Sequence, residues 1–410
     1  MINEKKIPSG YKYSPLGSIP KDWGVECFEN IADIDKESLN GSTPKNYEFD
    51  YISLSDVDSD DFKIETTKQV FETAPSRARR IVKQGDVLMS TVRPNLQGFS
   101  FINYDVKNLI ASTGFAVISS KNCNSGFLFH YLFSNAISKQ FYQLLVGSNY
   151  PAINSSDVRK LKIVYPSLPE QTAIANLLST WDKAIQTTNT LIEQKQNRKK
   201  WLMQMLLTSK KRLKGFEKEK WSKKRIGDYL VKHDEKSTEN NQYPVLTSSR
   251  RGIFLQKDYY TRDVASEDNT GYNVVPRGYF TFRHMSDDLV FKFNINDIVD
   301  RGIVSTLYPV FTVKNINKYF LWYKLNEGNE FKIHALEQKQ GGSRTYMYFT
   351  TIAELKMNLP SIEEQDAITK VLQTIDNEIA LLKNKLEKVK EQKKGLMQIL
   401  LTGKKRLKVN

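Results

Sequence analysis

Arginine, amide and aromatic side chains recur in the short polar segments that separate runs of β-type residues. In the first half of the chain these are Arg77, Arg79, Arg80, Arg93, Asn95, Asn149 and Tyr150, and in the second half Arg250, Arg251, Arg283, His284, Arg344 and Tyr346. Arginine can form two hydrogen bonds with guanine, and side-chain amides do the same with adenine. Neighbouring lysines and arginines would neutralise phosphates. Any one of these arginines is as readily explained by a surface ion pair, but together they predict a nucleic-acid interface.

The overall charge supports a polyanionic partner. The 410 residues include 61 Lys and Arg against 46 Asp and Glu, a formal net charge of +15. Such an excess favours nucleic acid or an anionic membrane surface. No stretch approaches the roughly 18 to 20 apolar residues that span a bilayer, and the first residues lack the pattern of a signal peptide. We therefore expect a cytoplasmic protein with nucleic acid as its partner and no membrane.

Motifs that would indicate catalysis are missing from the sequence. There is no G-x-x-x-x-G-K-[ST] loop for nucleotides and no H-E-x-x-H for zinc. The chain also lacks the N-P-P-Y or D-P-P-Y motif of amino-methyltransferases and a paired acidic nuclease site. The two cysteines, Cys27 and Cys123, predict neither a disulfide framework nor a metal site. We expect no catalytic residue and no metal on this chain.

The chain contains a tandem repeat, which indicates its organisation. The residues PSLPEQ at 166–171 return as PSIEEQ at 360–365, and the pattern LMQxLLTxKKRLK at 202–214 returns at 396–408. Fainter repeats precede these, with Trp23 answered by Trp221. The predicted order is a globular segment (1–160), a helical segment (161–214), a second globular segment (215–358) and a second helical segment (359–410). Because only the globular segments diverged, we expect them to have related but different roles.

Each helical segment predicts one long helix with a heptad seam. Ser167 and Ser361 are candidate N-caps, with Glu170 and Glu364 bonding back as capping boxes. Apolar residues then alternate in steps of three and four, the pattern of a coiled coil. The residues assigned to this seam and to partner contacts are Gln171, Leu178, Trp181, Ile185, Leu202 and Leu206, and Gln365, Leu372, Ile379, Leu382, Leu386, Leu396 and Leu400. Thr188 and Lys195 weaken the first seam, so we expect it to pair with the second.

Two roles stay open for these helices. Helices of about 38 residues would be about 57 Å long and could space two sites apart, or they could serve only as a dimerisation device. The KKRLK ends could either satisfy the helix macrodipole or contact a nucleic-acid backbone.

The globular segments are predicted to be mixed α+β. Expected strands cover residues 87–89, 115–118 and 307–313, with helices over 127–145 and 319–336. Loops at 147–150 and 341–344 are candidate recognition elements.

The motifs at 166–171 and 360–365, the two LMQxLLT helix ends and the segment IPKDW at 19–23 resemble the specificity subunit of type I restriction–modification systems over essentially the whole chain. The resemblance implies two target-recognition domains that read a split, asymmetric sequence in double-stranded DNA, with an antiparallel coiled coil between them. The implied partners are two methyltransferase subunits and restriction (translocase) subunits. S-adenosylmethionine, ATP and Mg²⁺ are then expected on those partners, and no cofactor on this chain.

Two other functions remain as alternatives. A free-standing DNA-binding or scaffold subunit of another defence complex would bind DNA without affecting methylation. A nuclease or methyltransferase in its own right would show turnover with magnesium or a methyl donor.

Overall fold

The computed structural model describes residues 8–58, 63–145, 151–260, 268–339 and 344–408. The chain forms two compact units. The first unit comprises the chain up to Ile192 together with the chain from Leu382 onward, and the second runs from Glu193 to Leu381. Each unit therefore combines a globular segment with the first part of one long helix and the last part of the other. The segment boundaries expected from the sequence at 160, 214 and 358 stay a prediction.

The described part of the first globular segment contains short strands and four short α-helices, and it leads into a long helix. The described strands are β1 (Tyr11–Ser14), β2 (Gly17–Pro20), β3 (Gly24–Cys27), β4 (Ala32–Ile34), β5 (Glu48–Ile52), β6 (Val57–Asp58), β7 (Lys63–Ile64), β8 (Thr67–Val70), β9 (Ala78–Val82), β10 (Val87–Ser90), β11 (Phe99–Phe101), β12 (Leu109–Ser112), β13 (Phe115–Ser120) and β14 (Lys162–Tyr165). The described helices are α1 (Phe28–Ile31), α2 (Ser125–Leu132), α3 (Asn135–Leu145), α4 (Ser155–Lys160) and α5 (Leu168–Leu206).

The second globular segment has the same kind of construction and leads into the other long helix. Its described strands are β15 (Ser222–Arg225), β16 (Leu230–His233), β17 (Leu246–Ser249), β18 (Gly252–Leu255), β19 (Asn273–Pro276), β20 (Phe280–Phe282), β21 (Met285–Ser286), β22 (Phe293–Ile295), β23 (Arg301–Val304), β24 (Val310–Val313), β25 (Thr345–Tyr346) and β26 (Lys356–Leu359). The described helices are α6 (Gln256–Tyr259), α7 (Lys318–Glu327), α8 (Asn329–Glu337), α9 (Phe349–Glu354) and α10 (Ile362–Leu400).

The tandem repeat is confirmed by the main sheet of each unit. The first unit has an antiparallel sheet in the order β11-β10-β13-β4, and the second has β22-β20-β24-β16. Val87 pairs with Ile118 in one sheet, and the repeat partners Phe280 and Phe311 pair in the other. Both central strands follow a glycine with positive φ, Gly85 and Gly278, a conformation that costs a non-glycine residue free energy. The same turn therefore begins the central strand of both units.

A second antiparallel pair ties each opening segment to its long helix. β3 pairs with β14 in the first unit, and β15 pairs with β26 in the second. β14 and β26 each end shortly before a long helix begins. The fixed link between sheet and helix makes the start of each long helix part of the globular fold.

The core of each unit includes residues from both long helices. In the first unit Trp23 and Phe127 share a cluster with Leu178 of α5 and Leu400 of α10. In the second, phenylalanines from the main sheet and α7 share a cluster with residues of both helices, namely Phe280, Phe293, Phe320, Leu206, Ile368 and Leu372. Burying one such side chain contributes about 1.5–3 kcal/mol. Helix ends and globular segments therefore fold as one structure within each unit.

The antiparallel coiled coil is confirmed, and its polar positions are paired. Every seam position assigned from the sequence is buried or half-buried. Lys195 binds Glu378 at 2.5 Å and Lys199 binds Asp376 at 2.5 Å, so the partner number falls as the residue number rises, which is an antiparallel arrangement. Thr188 is buried, and its hydroxyl donates to the Ala184 carbonyl at 2.8 Å. The polar middle of the first seam is therefore satisfied by acidic partners and by its own backbone.

Three local predictions were wrong. The single helix expected over 127–145 is divided into α2 and α3, and the one over 319–336 into α7 and α8. The first break has Ser134, whose hydroxyl bonds the Ile137 amide at 3.3 Å, and the second has Gly328, where an added Cβ would meet the Lys324 carbonyl at 2.4 Å. The strand expected over 307–313 is shorter, because β24 begins at Val310.

Candidate DNA-recognition site

The loop that follows the central strand occupies an equivalent place in both units. In the first unit this is loop A (residues 91–97). The Thr91 amide donates to the Gly114 carbonyl at 2.8 Å, and the Thr91 carbonyl accepts from the Ile153 amide at 2.9 Å. Loop A is thus held between the turn at 113–114 and the segment at 151–153.

Loop B (residues 284–290) makes the same two backbone contacts in the second unit. The His284 amide donates to the Leu307 carbonyl at 3.3 Å, and the His284 carbonyl accepts from the Met347 amide at 2.7 Å. The residue numbers differ from those of loop A by 193 or 194, the offset of the sequence repeat. The same backbone framework therefore occurs in each unit, and it presents a loop of different sequence in each.

Loop B brings together several arginines predicted from the sequence. Arg250, at the turn between β17 and β18, donates from Nη1 and Nη2 to the two carboxylate oxygens of Asp288 at 2.8 and 2.5 Å. Nε of Arg344 donates to Oδ1 of Asp287 at 2.9 Å. The bonds from Arg250 and then from Ser286 hold the pKa of Asp288 well below its usual range. Three separate segments are tied at one place by charge-assisted hydrogen bonds.

An aromatic stack lies beside these ion pairs. The rings of Tyr346 and Tyr348 lie 6.0 Å apart at an interplanar angle of 9°, and the His284 ring lies 5.5 Å from that of Tyr348. Both tyrosines are exposed. Exposed aromatic faces and arginines together provide the contacts that bases and phosphates require.

Arg251 and Arg283 belong to the same region. The Arg251 guanidinium lies 4.6 Å from the centre of the Tyr259 ring. Burial raises the pKa of Tyr308, and the nearby positive charge of Arg283 opposes this shift. Arg283 itself is exposed. The structure therefore groups the residues assigned to the second half of the chain, Arg250, Arg251, Arg283, His284, Arg344 and Tyr346.

In the first unit only part of the predicted set faces solvent near loop A. Arg77, Arg93 and Asn95 are exposed. The Arg77 carbonyl accepts from the Thr113 amide at 2.8 Å, which sets it beside the turn that contacts loop A. Asn149 and Tyr150 lie outside the described residues.

Arg79 and Arg80 are directed into their own fold. Nη1 of Arg79 donates to the Ala78 carbonyl at 2.8 Å. Nη2 of Arg80 lies 3.2 Å from the carboxylate of Asp35, a side chain that is 4% exposed. These contacts favour a structural role for both residues. The local sequence could not reveal the role of Arg80, because Asp35 is far from it along the chain.

Gln171 and Gln365, assigned to partner contacts, are instead buried within their own units. Nε2 of Gln171 donates to the Pro166 carbonyl at 2.8 Å, and its Oε1 accepts from the Asn124 amide at 2.9 Å. Gln365 makes the equivalent bonds to the Pro360 carbonyl and the Asn317 amide. Both glutamines therefore fasten a long helix to the start of a globular helix, α2 in the first unit and α7 in the second.

The predicted role of Glu170 and Glu364 in capping boxes was wrong, because these side chains bind other partners. Glu170 is buried, and its Oε2 accepts from the Trp23 indole at 3.0 Å and from Nη2 of Arg406 at 2.7 Å. Arg406 also pairs with Asp22 at 2.8 Å. A glutamate committed to two charged or polar partners is not bonding back to its own helix.

The second unit repeats this network. Oε2 of Glu364 accepts from the Trp221 indole at 3.0 Å and from Nη2 of Arg212 at 2.6 Å. The arginine of each KKRLK end thus binds the first turn of the other long helix. Neither the macrodipole role nor the nucleic-acid contact considered from the sequence predicted this. The recurrence of Trp, Glu and Arg at equivalent places in both halves of the sequence could have indicated these networks.

A further pair of polar networks links the globular helices to the coiled coil. In the first unit Lys393 binds Asp182, whose carboxylate lies 3.6 Å from Nε2 of His130. In the second the Tyr323 hydroxyl donates to Asp376 at 2.6 Å, and Lys199 also binds Asp376. The repeat preserves the acid and the lysine but exchanges histidine for tyrosine.

The remaining chemistry-bearing residues carry no site in the described part of the chain. Cys27 and Cys123 are free thiols, and burial raises the pKa of Cys123 to about 12. No group of three or more His, Cys, Asp or Glu among the described residues is arranged to hold a metal ion. No described helix is long and apolar enough to cross a membrane.

The chain contains two copies of one α+β domain. Each copy presents a loop of different chemistry on the same backbone framework, as expected of a tandem recognition protein. The sequence pattern of the type I restriction modification DNA specificity domain matches residues 20–197 and again residues 218–391. These matches cover most of the chain, which therefore belongs to this family of DNA specificity proteins.

Individual relatives agree with this assignment. The chain is 25% identical over 430 aligned positions to the putative type I restriction enzyme MjaX specificity subunit of Methanocaldococcus jannaschii, covering 97% of each protein. It is 28% identical to the MjaVIII specificity subunit of the same organism, over 64% of this chain and 66% of that protein.

Solved structures share the fold. A chain from a type I R-M system described for complex assembly and conformational transition has a TM-score of 0.58 at 20% identity, with 94% of this chain and 99% of that chain covered. The S subunit of the type I system of M. genitalium has a TM-score of 0.53 at 14% identity, with coverages of 92% and 96%.

Proposed function

We propose that this chain, as a type I specificity subunit, reads a split and asymmetric target in double-stranded DNA, one half with each unit. The observation that carries this proposal is the pair of loops on one framework. Loop A presents Arg93 and Asn95, whereas loop B presents Asp287 and Asp288 with their arginines. Hydrogen-bonding groups that differ at equivalent places would select different bases, so the two half-sites should differ in sequence.

Contacts with the DNA backbone would supply most of the affinity. The net charge of +15 suits a partner with closely spaced phosphates, and neutralising them releases counterions. Base contacts from the two loops would then add specificity to a complex already positioned by the phosphates.

The chemistry belongs, in this proposal, to partner subunits. Two methyltransferase subunits would bind S-adenosylmethionine, and restriction subunits would use ATP and Mg²⁺. This chain would contribute no catalytic residue, and its paired helices would bind the methyltransferases and set the spacing between half-sites. Their seam residues are buried or paired within each unit, so partner contacts would use the outer helix faces. The complex would act in the cytoplasm.

The test is genome-wide base-modification sequencing of the host with and without this gene. We expect methylation to disappear from one split, asymmetric motif when the gene is deleted and to return when it is restored on a plasmid. Unchanged methylation together with a DNA-bound chain would contradict the proposal and favour a scaffold in another complex. Turnover by the purified chain alone, given magnesium or methyl donor, would contradict the non-catalytic role.

A further inference from the structure

Loop B holds two arginines from outside the loop by means of adjacent aspartates. Asp288 takes both terminal amines of Arg250, and also accepts from the Ser286 hydroxyl at 2.9 Å and the Val290 amide at 3.2 Å. Its carboxylate is therefore fixed by the loop itself. Asp287, the preceding residue, holds Arg344 through Nε alone.

These ion pairs are poorly explained by folding stability. The side chains of Arg250 and Asp288 are 58% and 52% exposed, and those of Arg344 and Asp287 are 53% and 68% exposed. Exposed pairs of this kind contribute little to stability. An acid beside a DNA phosphate would also weaken backbone binding, so two acids in a region of four arginines require another reason.

Preorganisation provides that reason. Arginine has a flexible side chain, and fixing it before binding reduces the conformational entropy lost when DNA is bound. The backbone on each side of the Arg344–Asp287 pair is also fixed, because β21 and β25 pair Met285 with Tyr346 and Ser286 with Thr345. Arg344 precedes this ladder on one strand, and Asp287 follows it on the other. The ion pair therefore closes the open end of a short antiparallel ladder.

The geometry of Arg344 leaves its terminal amines available. Only Nε is bonded to Asp287, and neither Nη1 nor Nη2 has a hydrogen-bond partner among the residues that the structure describes. Those two amines form the planar fork that bonds guanine O6 and N7 in the major groove. Arg250 differs, because Asp288 already occupies both of its terminal amines.

We infer that Arg344, held by Asp287, is the guanine-reading residue of the second unit, and that Arg250 with Asp288 braces the loop beside it. This inference rests on the proposed function and names the base class read at one site. Loop A carries Pro94 at the place of Asp287. It therefore lacks the acidic tether, and a guanine contact of this form belongs to one half-site only.

Sequence selection from randomised duplex DNA tests the inference, using the purified full-length chain with its co-purifying subunits. Arg344→Lys keeps the positive charge and removes the fork, and Asp287→Asn keeps the shape and removes the charged tether. The matched control is Arg277→Lys. Nε of Arg277 also donates to an exposed aspartate, Asp300, at 2.9 Å. Arg277 precedes β20, whereas loop B follows that strand, so the control arginine lies outside loop B.

We expect Arg344→Lys to reduce the preference for guanine at one position of one half-site by about tenfold or more, with the other half-site unchanged. Asp287→Asn should weaken the same position to a smaller extent, and Arg277→Lys should select the wild-type sequence. An unchanged motif for Arg344→Lys, or equal loss in both half-sites, overturns the inference.

The readout separates this inference from the proposed function. A wild-type chain that selects a split sequence but directs no methylation in the host contradicts the proposed role of guiding methyltransferase subunits, while the variants still decide the role of Arg344. A wild-type chain that selects no sequence overturns both.

Discussion

Lowering the pH from 8 to 5 should destabilise the first unit through a single buried imidazole. His130 is 1% exposed, and its Nε2 forms a hydrogen bond of 3.3 Å with the Ser179 hydroxyl. Burial, and after it the positive charge of Lys393, lower the pKa of His130 to about 3. Asp182 lies close enough to oppose this shift, but its charge is already paired with Lys393.

The sign and the size follow from linkage. In the unfolded chain the imidazole binds a proton as the pH falls below about 6.5, whereas the folded state keeps it neutral down to about 3. The stabilisation is therefore complete above pH 6.5 and is lost progressively as the pH falls towards 3. At about 1.4 kcal/mol per pH unit, the loss amounts to about 2 kcal/mol at pH 5.

The assay is urea unfolding followed by circular dichroism at pH 8 and pH 5, for the wild type and for His130→Gln. Comparing the pH-dependent difference removes any constant cost of the substitution. We expect the fall in unfolding free energy between the two pH values to be smaller in the variant by about 2 kcal/mol. Tyr323→Phe alters the equivalent position of the second unit and should keep the wild-type pH dependence. The same fall for the wild type and His130→Gln would refute the reasoning.

Three further outcomes are expected. Glu170→Gln should lower the unfolding free energy by about 1–2 kcal/mol, because Trp23 and Arg406 lose a charged acceptor while Arg406 keeps Asp22. Urea titration at pH 8 would measure this, and no change would mean that the pair adds nothing. Leu382→Asp places a charge in the seam beside Ile185 and Leu386, so it should weaken co-purification of partner subunits and leave the selected DNA sequence unaltered. If 6 to 10 phosphates are neutralised, the logarithm of DNA affinity should fall with the logarithm of salt concentration at a slope of about −5 to −9. Fluorescence anisotropy would measure this slope, and an affinity independent of salt would argue against phosphate contacts.

The duplication and the coiled coil could be predicted because their signals are local and repeated. A heptad seam is visible in consecutive residues, and the copy at a constant offset showed that two segments must adopt the same structure. The main sheets agree with this, since Val87 and Phe280 occupy equivalent places. Helix breaks were less predictable, because α2 and α3 are separated by a short interruption within a continuous helical pattern.

The candidate site was predicted by residue type and only partly by position. Arg250 and Arg344 were identified because arginines in polar loops suit nucleic acid, but Asp287 and Asp288 were missed. Adjacent acids in an otherwise basic region were the available signal. Arg80 is the opposite case, since its acidic partner Asp35 cannot be inferred from neighbouring residues.

The sequence alone thus determined the repeat, the fold class, the paired helices and the kind of partner, because periodicity, charge and internal similarity are properties of the chain itself. The tertiary structure decided which groups satisfy one another. Glu170 binds Arg406 across 236 residues, Lys393 binds Asp182 across 211, and Arg344 binds Asp287 across 57. Such pairs depend on where folding brings distant segments together, and buried or oriented polar groups require a partner that no local pattern specifies.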